Sequence, residues 1–552
     1  MSADAPQFPP SSQLFADAAK IATGGNGRQG GVSSKAEGNV AATTTDIARN
    51  IQTSYDATPL TIKAKGDITT LLDLTTRDIQ DDYITPLTSE TTWFTRDTER
   101  RVLPFTPLVQ EIPFRGPAAF GQRFSFDLGS LAVGDLLFGA AVQIRLDHWL
   151  DAQTQLLLAA GRIRYASPGT AWEFTNSLGS ALIAKAELEI DGDTVEVIDG
   201  DFINVFSTLF PDFNTQFGVA ADHLGRMSQA RLLAQTQPRL WPTEAGILHC
   251  VLPFFFGRQR RAQEALPMIA IREGLTRLHV TLRPFEECVR QLRGWRDSCE
   301  AVPLGQTFSF VPAVGGVEAR TVVASAVPPP FKSLNLVTYG AILDGPYRQK
   351  MLREPFEMMH RVVQTFSFDE PLKYVVARHS GADGDGIRVQ LPLEANGPLE
   401  EIVWFVRRKG VADNNAWINY SSVLEREAAA LTPAQAAAYA AQNPLLLSAA
   451  LQLNGITVCE AEEQYFRQLV AKAHRGGYAA YANYIYGYPF ARNPGEHQPS
   501  GTANASKLGS LRLSLTVRPP AGSADAWEVK VFCIGMNWMR YEHGLANAVF
   551  AD

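Results

Sequence analysis

Two groups of acidic residues are the features of this 552-residue chain that most suggest chemistry. They are Asp191, Asp193, Asp199 and Asp201 in the first group, and Asp383 and Asp385 in the second. Calcium requires several oxygen ligands that converge from one loop, usually closed by a bidentate glutamate at a fixed spacing. Neither group has this pattern, and Asp-Gly pairs are typical of tight hairpins. The sequence therefore predicts no metal site and no cofactor, and it assigns both groups to hairpin turns.

Residues that could act in catalysis are not arranged in a common catalytic motif. The chain has no G-x-S-x-G, H-E-x-x-H, P-loop or C-x-x-C pattern. Its nine histidines include no H-x-H pair of the kind that holds a metal in some β-proteins. Only His497 lies in a conspicuous motif, and we expect a structural hydrogen bond from it. The sequence thus predicts a protein that is not an enzyme.

The charge balance argues against nucleic acid as a direct partner. The net charge is -7 and the pI is near 5.8, whereas coating nucleic acid requires clustered Lys and Arg. Arg258, Arg260 and Arg261 form a short basic run, which we expect to be a solvated loop. Charged residues make up 19% of the chain, below the usual value of about 25%. This composition fits either a subunit buried in an assembly or simply a large β-protein.

The five cysteines and the N-terminus favour a protein that is made in the cytosol. The cysteines are odd in number and widely spaced, which predicts neither a disulfide framework nor a zinc site. Met1–Lys20 lacks the apolar core of a signal peptide, and Ser2 stands where myristoylation requires glycine. No apolar run approaches the length that spans a bilayer, so we expect any membrane contact to be indirect.

Composition divides the chain into an arm and two β-rich units. Residues 1–55 are rich in Gly, Ala, Ser and Thr, and we interpret them as a flexible arm that becomes ordered against neighbours. Residues 56–325 form the first predicted domain and residues 326–552 the second. The division follows a triple proline, Pro328–Pro330, which denies donors to a sheet. No repeat between the two halves is evident in the sequence.

Hydrophobic alternation predicts antiparallel strands on both sides of this division. Clear examples are Arg123–Asp127, Ala181–Ile190 before an Asp-Gly hairpin, Leu511–Leu515 and Trp527–Tyr541. We expect His279–Leu282 to be a late strand of the first domain and Leu334–Leu343 to begin the second. Helices are predicted over residues 199–210 and, from a capping Thr432, over an alanine-rich insertion that ends at residue 443.

Four ordered segments resemble those of a known protein family. The most specific is a turn-rich signature that precedes a strand, and its residues are Glu496, His497, Gln498, Pro499, Ser500, Gly501, Asn504 and Ser506. A second segment, VLPFFFGRQRRAQEALPMIAI, contains Leu252, Pro253, Phe254 and Phe256. The other two segments are SALIAKAELEIDG and LQLNG, the latter followed by Tyr465 and Phe466. Together they resemble the major capsid proteins of nucleocytoplasmic large DNA viruses.

This resemblance implies an all-β fold of two consecutive eight-stranded antiparallel jelly-roll sandwiches, a double jelly roll, with short helices in inserted loops. It implies a structural role: self-assembly into pseudo-hexameric homotrimers, or capsomers, that tile an icosahedral shell. The implied partners are neighbouring capsomers and the minor capsid and penton proteins. The implied location is the virion, after assembly in the host cytoplasm. Ala505 departs from the family, whose members often carry a bulkier residue there.

Two other functions remain open from the residues alone. The first is a two-domain β-sandwich that binds or cleaves carbohydrate, because jelly rolls are common in lectins and glycosidases. A glycosidase would need two carboxylates facing each other across a cleft, and the sequence does not exclude such a pair. The second is a minor virion protein with the same fold.

Overall fold

A computed structural model describes most of the chain from Phe105 onward. The described residues are 105–129, 133–146, 156–157, 160–165, 171–175, 177–210, 247–258, 264–292, 299–301, 310–312, 331–369, 371–379, 386–422, 444–473, 484–495, 498–518 and 526–549. They lie in a compact unit that runs from Leu103 to Asp552. The predicted arm, the acidic pair at residues 383 and 385, and the helix predicted from Thr432 lie outside the described residues.

The first half of the described chain forms a two-sheet lobe. Its strands are β1 (Phe105–Pro113), β2 (Arg123–Asp127), β3 (Leu136–Leu146), β4 (Ile163–Tyr165), β5 (Ala171–Phe174), β6 (Ile183–Ile190), β7 (Asp193–Asp199), β8 (Ile247–Leu252), β9 (Thr276–Leu282), β10 (Val289–Leu292), β11 (Cys299–Ala301), β12 (Phe310–Pro312) and β13 (Phe331–Leu343). The two main antiparallel sheets have the orders β1-β13-β3-β8 and β2-β9-β6-β7. Two small sheets, β11-β10-β5 and β12-β4, accompany them. We call this unit lobe 1.

The second half forms lobe 2 with the same strand order. Its strands are β14 (Phe356–Phe368), β15 (Val375–His379), β16 (Gly386–Pro392), β17 (Pro398–Arg408), β18 (Leu446–Leu453), β19 (Ile456–Glu462), β20 (Ile485–Pro489), β21 (Ala503–Asn504), β22 (Leu511–Val517), β23 (Trp527–Glu542) and β24 (Leu545–Ala548). One sheet has the order β14-β23-β17-β20, with β21 and β24 attached, and the other has the order β15-β16-β22-β18-β19.

The strand orders of both lobes are those of a jelly roll. In lobe 1 the first, eighth, third and sixth main strands form one sheet, and the second, seventh, fourth and fifth form the other. In lobe 2 the sheets β14-β23-β17-β20 and β16-β22-β18-β19 repeat that order, and β15 is an additional edge strand. The predicted double jelly roll is therefore confirmed.

Short helices connect the strands, as the prediction of inserted helices required. They are α1 (Leu178–Leu182), α2 (Gly200–Leu209), α3 (Gly345–Arg353) and α4 (Glu463–Ala473). Single 3-10 turns occur at Met268–Ala270, Phe285–Glu287, Pro371–Tyr374, Lys409–Asn414 and Ala505–Lys507. Helix α2 confirms the helix predicted over residues 199–210. Asp199 caps its start, since the Asp199 carboxylate accepts a hydrogen bond from the Phe202 amide at 2.7 Å. By contrast, Ala181 and Leu182 end a helix, and the strand begins only at Ile183.

Hydrophobic alternation places the core where the sequence predicted it. Phe124 and Phe126 are buried on β2 between exposed neighbours, and Leu513 and Leu515 are fully buried on β22. The β6–β7 hairpin turns at Asp191 and Gly192, whose φ values are 56° and 92°. A left-handed turn of this type suits the twist of antiparallel strands, which accounts for the Asp-Gly pair.

The strand after the prolines corrects the predicted division between the domains. We expected Leu334–Leu343 to begin the second unit, but β13 lies between β1 and β3 in the first sheet. Leu334 and Leu336 contribute to the core, so removing β13 would open lobe 1. A proline run interrupts hydrogen bonding only locally and does not decide which sheet the next strand joins. A boundary at residues 325 and 326 therefore cuts through lobe 1.

The helices of the described residues are short. None of them has both the length and the apolar character that a helix needs to cross a bilayer.

Candidate functional site: signature segments at the contact between the lobes

The Leu252–Phe256 segment is a buried turn at the end of β8. Leu252, Phe254 and Phe256 have no exposed surface. The rings of Phe254 and Phe256 stack with centroids 5.8 Å apart, and the Gly257 amide donates to the Phe254 carbonyl at 2.8 Å. Pro253 supports the turn through its carbonyl, which accepts a hydrogen bond from Arg258 Nε at 2.9 Å. The turn thus fixes the position of the arginine that follows it.

Arg258 is buried between the lobes, which corrects the expectation of a solvated loop residue. Its guanidinium forms an ion pair with Glu196 of β7, and the two side chains are 4% and 1% exposed. It also donates to the main-chain oxygen of Arg361, on β14 of lobe 2, at 2.8 Å. Burial raises the pKa of Glu196, and the charge of Arg258 partly offsets this effect. Arg260 and Arg261 lie outside the described residues.

Arg361 forms a second buried charge cluster that joins the lobes. Its guanidinium donates to Glu264 of lobe 1 at 2.9 Å and to both carboxylate oxygens of Glu400 on β17, at 2.6 and 3.2 Å. Glu264 comes directly before the Ala-Leu-Pro part of the second family segment. Burial alone would lower the pKa of Arg361, but the two carboxylates raise it above its ordinary value. Both partners therefore hold the cation charged.

The turn-rich signature closes over the same strand, β17. The Ser506 hydroxyl accepts a hydrogen bond from the Gly397 amide at 2.8 Å, and Asn504 pairs with Pro398. Ser500 Oγ accepts from the Asn493 amide at 2.9 Å. Gly495 lies between β20 and the signature, and its amide donates to the buried Glu400 carboxylate at 3.0 Å. The segment directly before the signature therefore holds the acid that binds Arg361.

Gly501 is the signature residue whose backbone conformation demands its residue type. Its φ is +147°, and a Cβ at this position would lie 3.0 Å from the Phe490 carbonyl oxygen. Gln498 and Pro499 are exposed, whereas Ala505 is buried. Glu496 and His497 lie outside the described residues, so the hydrogen bond expected from His497 stays a prediction.

A third charge cluster surrounds Asp201 at the start of α2. Arg407 of β17 donates to its carboxylate at 2.8 and 3.2 Å, and Lys530 of β23 donates at 2.7 Å. Lys530 also reaches Asp199 at 2.5 Å, and Arg407 Nε donates to Glu528 at 2.5 Å. Burial alone would raise the pKa of Asp201, but the two cations hold it well below its usual range. Asp199 and Asp201 of lobe 1 therefore neutralise two cations of lobe 2, Arg407 and Lys530.

This cluster corrects one part of the sequence interpretation of the acidic residues. Asp191 forms the hairpin turn as predicted, but Asp199 and Asp201 are held by Lys530 and Arg407 instead of by hairpin geometry. Among the described residues, no group of three or more His, Cys, Asp or Glu side chains could hold a metal ion. Sequence reasoning missed the cations because they lie more than two hundred residues from Asp199 and Asp201 along the chain.

Neutral contacts extend the joint between the lobes. Helix α2 places Phe202 against Phe532 of β23, with ring centroids 5.3 Å apart, and the Asn204 amide donates to the Tyr420 hydroxyl at 2.8 Å. The segment after β17 reaches back to lobe 1, where Trp417 Nε1 donates to the Glu287 carbonyl at 2.8 Å. Charged, polar and aromatic contacts together hold the two lobes in a fixed arrangement.

Comparison with known proteins agrees with this architecture. A model of the large eukaryotic DNA virus major capsid protein matches residues 350–546, and a model of the major capsid protein N-terminus matches residues 92–315. The major capsid protein of Phaeocystis pouchetii virus is 22% identical over 87% of this chain and 99% of its own length. That of Chrysochromulina ericina virus is 24% identical over 61% of this chain and 57% of its own length.

Solved structures share the fold at low identity. PBCV-1 VP54 has a TM-score of 0.57 and 18% identity, and the alignment covers 84% of this chain and all of that one, 100%. The Faustovirus major capsid protein has a TM-score of 0.56 and 11% identity, with 91% and 98% covered. The strand order and these likenesses define a double jelly-roll protein, and buried ion pairs join its two lobes. The chain belongs to the major capsid proteins of large eukaryotic DNA viruses.

Proposed function

We propose that this chain is the structural subunit of a virus shell and that it self-assembles into pseudo-hexameric trimers. The observation that carries the proposal is the presence of two jelly rolls with one strand order, joined by buried ion pairs into a single tile. Three such tiles present six similar lobes, which suits a near-hexagonal outline. A closed ring of identical subunits is the usual form of a soluble homo-oligomer.

The same proposal includes the partners and location of the assembled subunit. Trimers would contact neighbouring capsomers, and minor capsid and penton proteins would fill the remaining positions of an icosahedral shell. Assembly would take place in the host cytoplasm, and the final location would be the virion. Membrane contact would be indirect, and the net charge of -7 supports a role without direct nucleic-acid binding.

We also propose a structural role for the signature residues and a revised boundary between the domains. Gly501, Ser500 and Ser506 shape the loop that supports Glu400 and, through it, the buried Arg361. The boundary would follow β13 and fall at α3, near Gly345–Arg353, because β14 is the first strand that pairs within lobe 2. Lobe 1 would then contain both sheets that its core requires.

The carbohydrate alternative gains no support from the matches described above, all of which are capsid proteins. A cavity of about 600 Å³ lies beside the signature loop, where Asn504 and Ser506 contribute to its wall. The residues that line this cavity include Trp538 and several amides but no Asp or Glu. Glycoside hydrolysis requires paired carboxylates, so this cavity lacks the groups for that reaction.

Light scattering of the purified protein tests the proposed assembly. Each chain weighs 60.4 kDa, so a trimer should have a mass of roughly 181 kDa and form a closed ring. Negative-stain images should show compact particles with a hexagonal outline. A mass that stays at that of one chain across micromolar concentrations would contradict the proposal.

A further inference from the structure

Lobe 2 repeats, in sequence as well as in structure, the segment of lobe 1 that binds its neighbouring lobe. The β6–β7 hairpin turns at Asp191 and Gly192, and the β18–β19 hairpin turns at Asn454 and Gly455, all four with positive φ. The surrounding sequences, LEIDGDTVE and LQLNGITVC, align without a gap. Each hairpin leads directly into a helix, α2 in lobe 1 and α4 in lobe 2. The two helices are therefore equivalent parts of the two jelly rolls.

The gap-free alignment assigns a counterpart to each side chain of α2. Ile203 corresponds to Phe466, and both are buried in their own lobe. Phe202 corresponds to Tyr465, but Phe202 is 1% exposed and Tyr465 is 47% exposed. The difference has a simple origin, because Phe202 packs on Phe532 of lobe 2 whereas α4 has no third lobe in the described chain to pack against. The outer face of α4 therefore resembles the face of α2 that packs on lobe 2, but it is not covered by a second lobe of the described chain.

The receiving surface can be located by the same equivalence. On lobe 2 the outer face of β17 and β23 receives α2, through Arg407, Lys530 and Phe532. Both lobes have a register shift at one glycine of the eighth main strand, Gly340 in β13 and Gly535 in β23.

The strand registers on either side of these glycines identify the residues of β3 and β13 that correspond to those of β17 and β23. In lobe 1, Ala141 pairs with Val337, and this pair corresponds to Val403 and Phe532 in lobe 2. Likewise, the pair of Arg145 and Ser333 in lobe 1 corresponds to Arg407 and Glu528 in lobe 2. Arg145 is exposed and corresponds to the buried Arg407, and Val337 lies at the floor of the face at the position of Phe532.

We propose that the outer face of α4, at Gln464 and Tyr465, packs against the β3–β13 face of lobe 1 in a second copy of this chain. This contact would repeat between subunits the joint that α2 makes within one subunit. Charge complementarity supports the pairing, because Glu462, directly before α4, and Arg145, on the receiving face, are both exposed and carry opposite charges. Each contact joins two different surfaces, and contacts of this kind form a ring when the rotation between copies closes. The inference rests on the proposed function and assigns residues to the interface of that trimer.

The Tyr465→Glu variant tests the donor side of this interface. A charge buried in the packed centre of an interface should raise the concentration at which half of the trimer dissociates by about tenfold or more. The matched control is Val376→Glu, since Val376 is 55% exposed at a different sheet edge. Sedimentation velocity over a dilution series measures both, and circular dichroism verifies that each variant is folded.

Proximity is tested separately with cysteines on the two surfaces. The Gln464→Cys and Arg145→Cys double variant mirrors the Asp201–Arg407 pair, whose atoms are 2.8 Å apart. A short bis-maleimide should link it into covalent dimers and trimers on a denaturing gel. The wild-type chain and a Val376→Cys, Arg145→Cys variant should remain unlinked.

The outcomes separate this inference from the proposed function. A wild-type trimer that Tyr465→Glu weakens, together with linked Gln464→Cys, Arg145→Cys chains, supports both. A wild-type trimer that Tyr465→Glu leaves unchanged and that the cysteine pair does not link overturns the inference and leaves the capsid function standing. A wild-type monomer overturns the proposed trimer itself.

Discussion

Asp201 shows how a single carboxylate can hold two lobes together. It is 6% exposed and is the shared partner of Arg407 and Lys530, which come from two different strands of lobe 2. Removing one partner of a buried ion pair leaves the others desolvated without compensation, at a cost of about 3 to 5 kcal/mol. The stability of the contact between the lobes therefore depends strongly on the Asp201 carboxylate.

We expect Asp201→Asn to reduce the free energy of unfolding by about 3 kcal/mol or more, because the amide cannot neutralise two buried cations. Urea unfolding followed by tryptophan fluorescence measures the change. Asp193→Asn is the matched control, since Asp193 is exposed on the β6–β7 hairpin. Equal loss of stability in both variants would contradict the role assigned to Asp201.

The lowered pKa of Asp201 also predicts how stability depends on pH. The unfolded carboxyl titrates near pH 4, as about 3.9 is the ordinary Asp value, and the folded one titrates well below it. Its contribution is therefore complete above about pH 4 and is lost as the pH falls towards the folded value. Thermal unfolding between about pH 5 and pH 2 should show a steep decline that is shallower in Asp201→Asn. Parallel pH curves for the two proteins would refute this origin of the acid sensitivity.

At the scale of elements, the proposed role of the signature loop is to fix the start of β17. Gly501 lets the loop pass close to Phe490 in a conformation that other residues rarely adopt, since its φ is +147°. We expect Gly501→Ala to destabilise lobe 2 by about 1 to 3 kcal/mol, through backbone strain and contact with the Phe490 carbonyl. Calorimetry should show a lower melting temperature.

Gly345→Ala is the control for this loop substitution. Gly345 begins α3, and a Cβ there would have no atom within 4 Å. Because Ala has the higher helix propensity, this change should be neutral or slightly stabilising. A Gly501→Ala protein as stable as the Gly345→Ala protein would show that the loop tolerates a side chain and does not clamp β17.

The sequence predicted individual elements well because their signals are local. Alternating residues on β2 and β22, the Asp199 cap of α2 and the Asp-Gly turn each depend on neighbours within a few positions. The placement of β13 was wrong because sheet membership depends on partners far along the chain, and Phe331–Leu343 pairs with strands near residues 110 and 140. Local patterns identify a strand but do not choose its neighbours.

At the scale of the whole molecule, family resemblance predicted the double jelly roll, but the residues that join the lobes were missed. Arg258 looked like part of a solvated basic run, because sequence does not show that Glu196 lies opposite it. The repeat that relates Phe202 to Tyr465 could have been found from the matching hairpin turns, Asp191-Gly192 and Asn454-Gly455. Only the strand register extends that repeat to Arg145 and Arg407.

The buried charges between the lobes should make the whole subunit unfold as one cooperative unit. Arg361 and Arg407 each bind acids of both lobes, so loss of their contacts would leave Glu264, Glu400 and Glu528 without these cations and Asp201 with Lys530 alone. We expect calorimetry of the wild-type protein to show one transition and the Arg361→Leu, Arg407→Leu variant to show two, because uncoupled domains melt separately. Arg388→Leu with Arg512→Leu removes two cations from the β16–β22 pair within lobe 2 and should preserve a single transition. A single, merely shifted transition in the Arg361→Leu, Arg407→Leu variant would mean that apolar packing such as Phe202 on Phe532 is sufficient to couple the lobes.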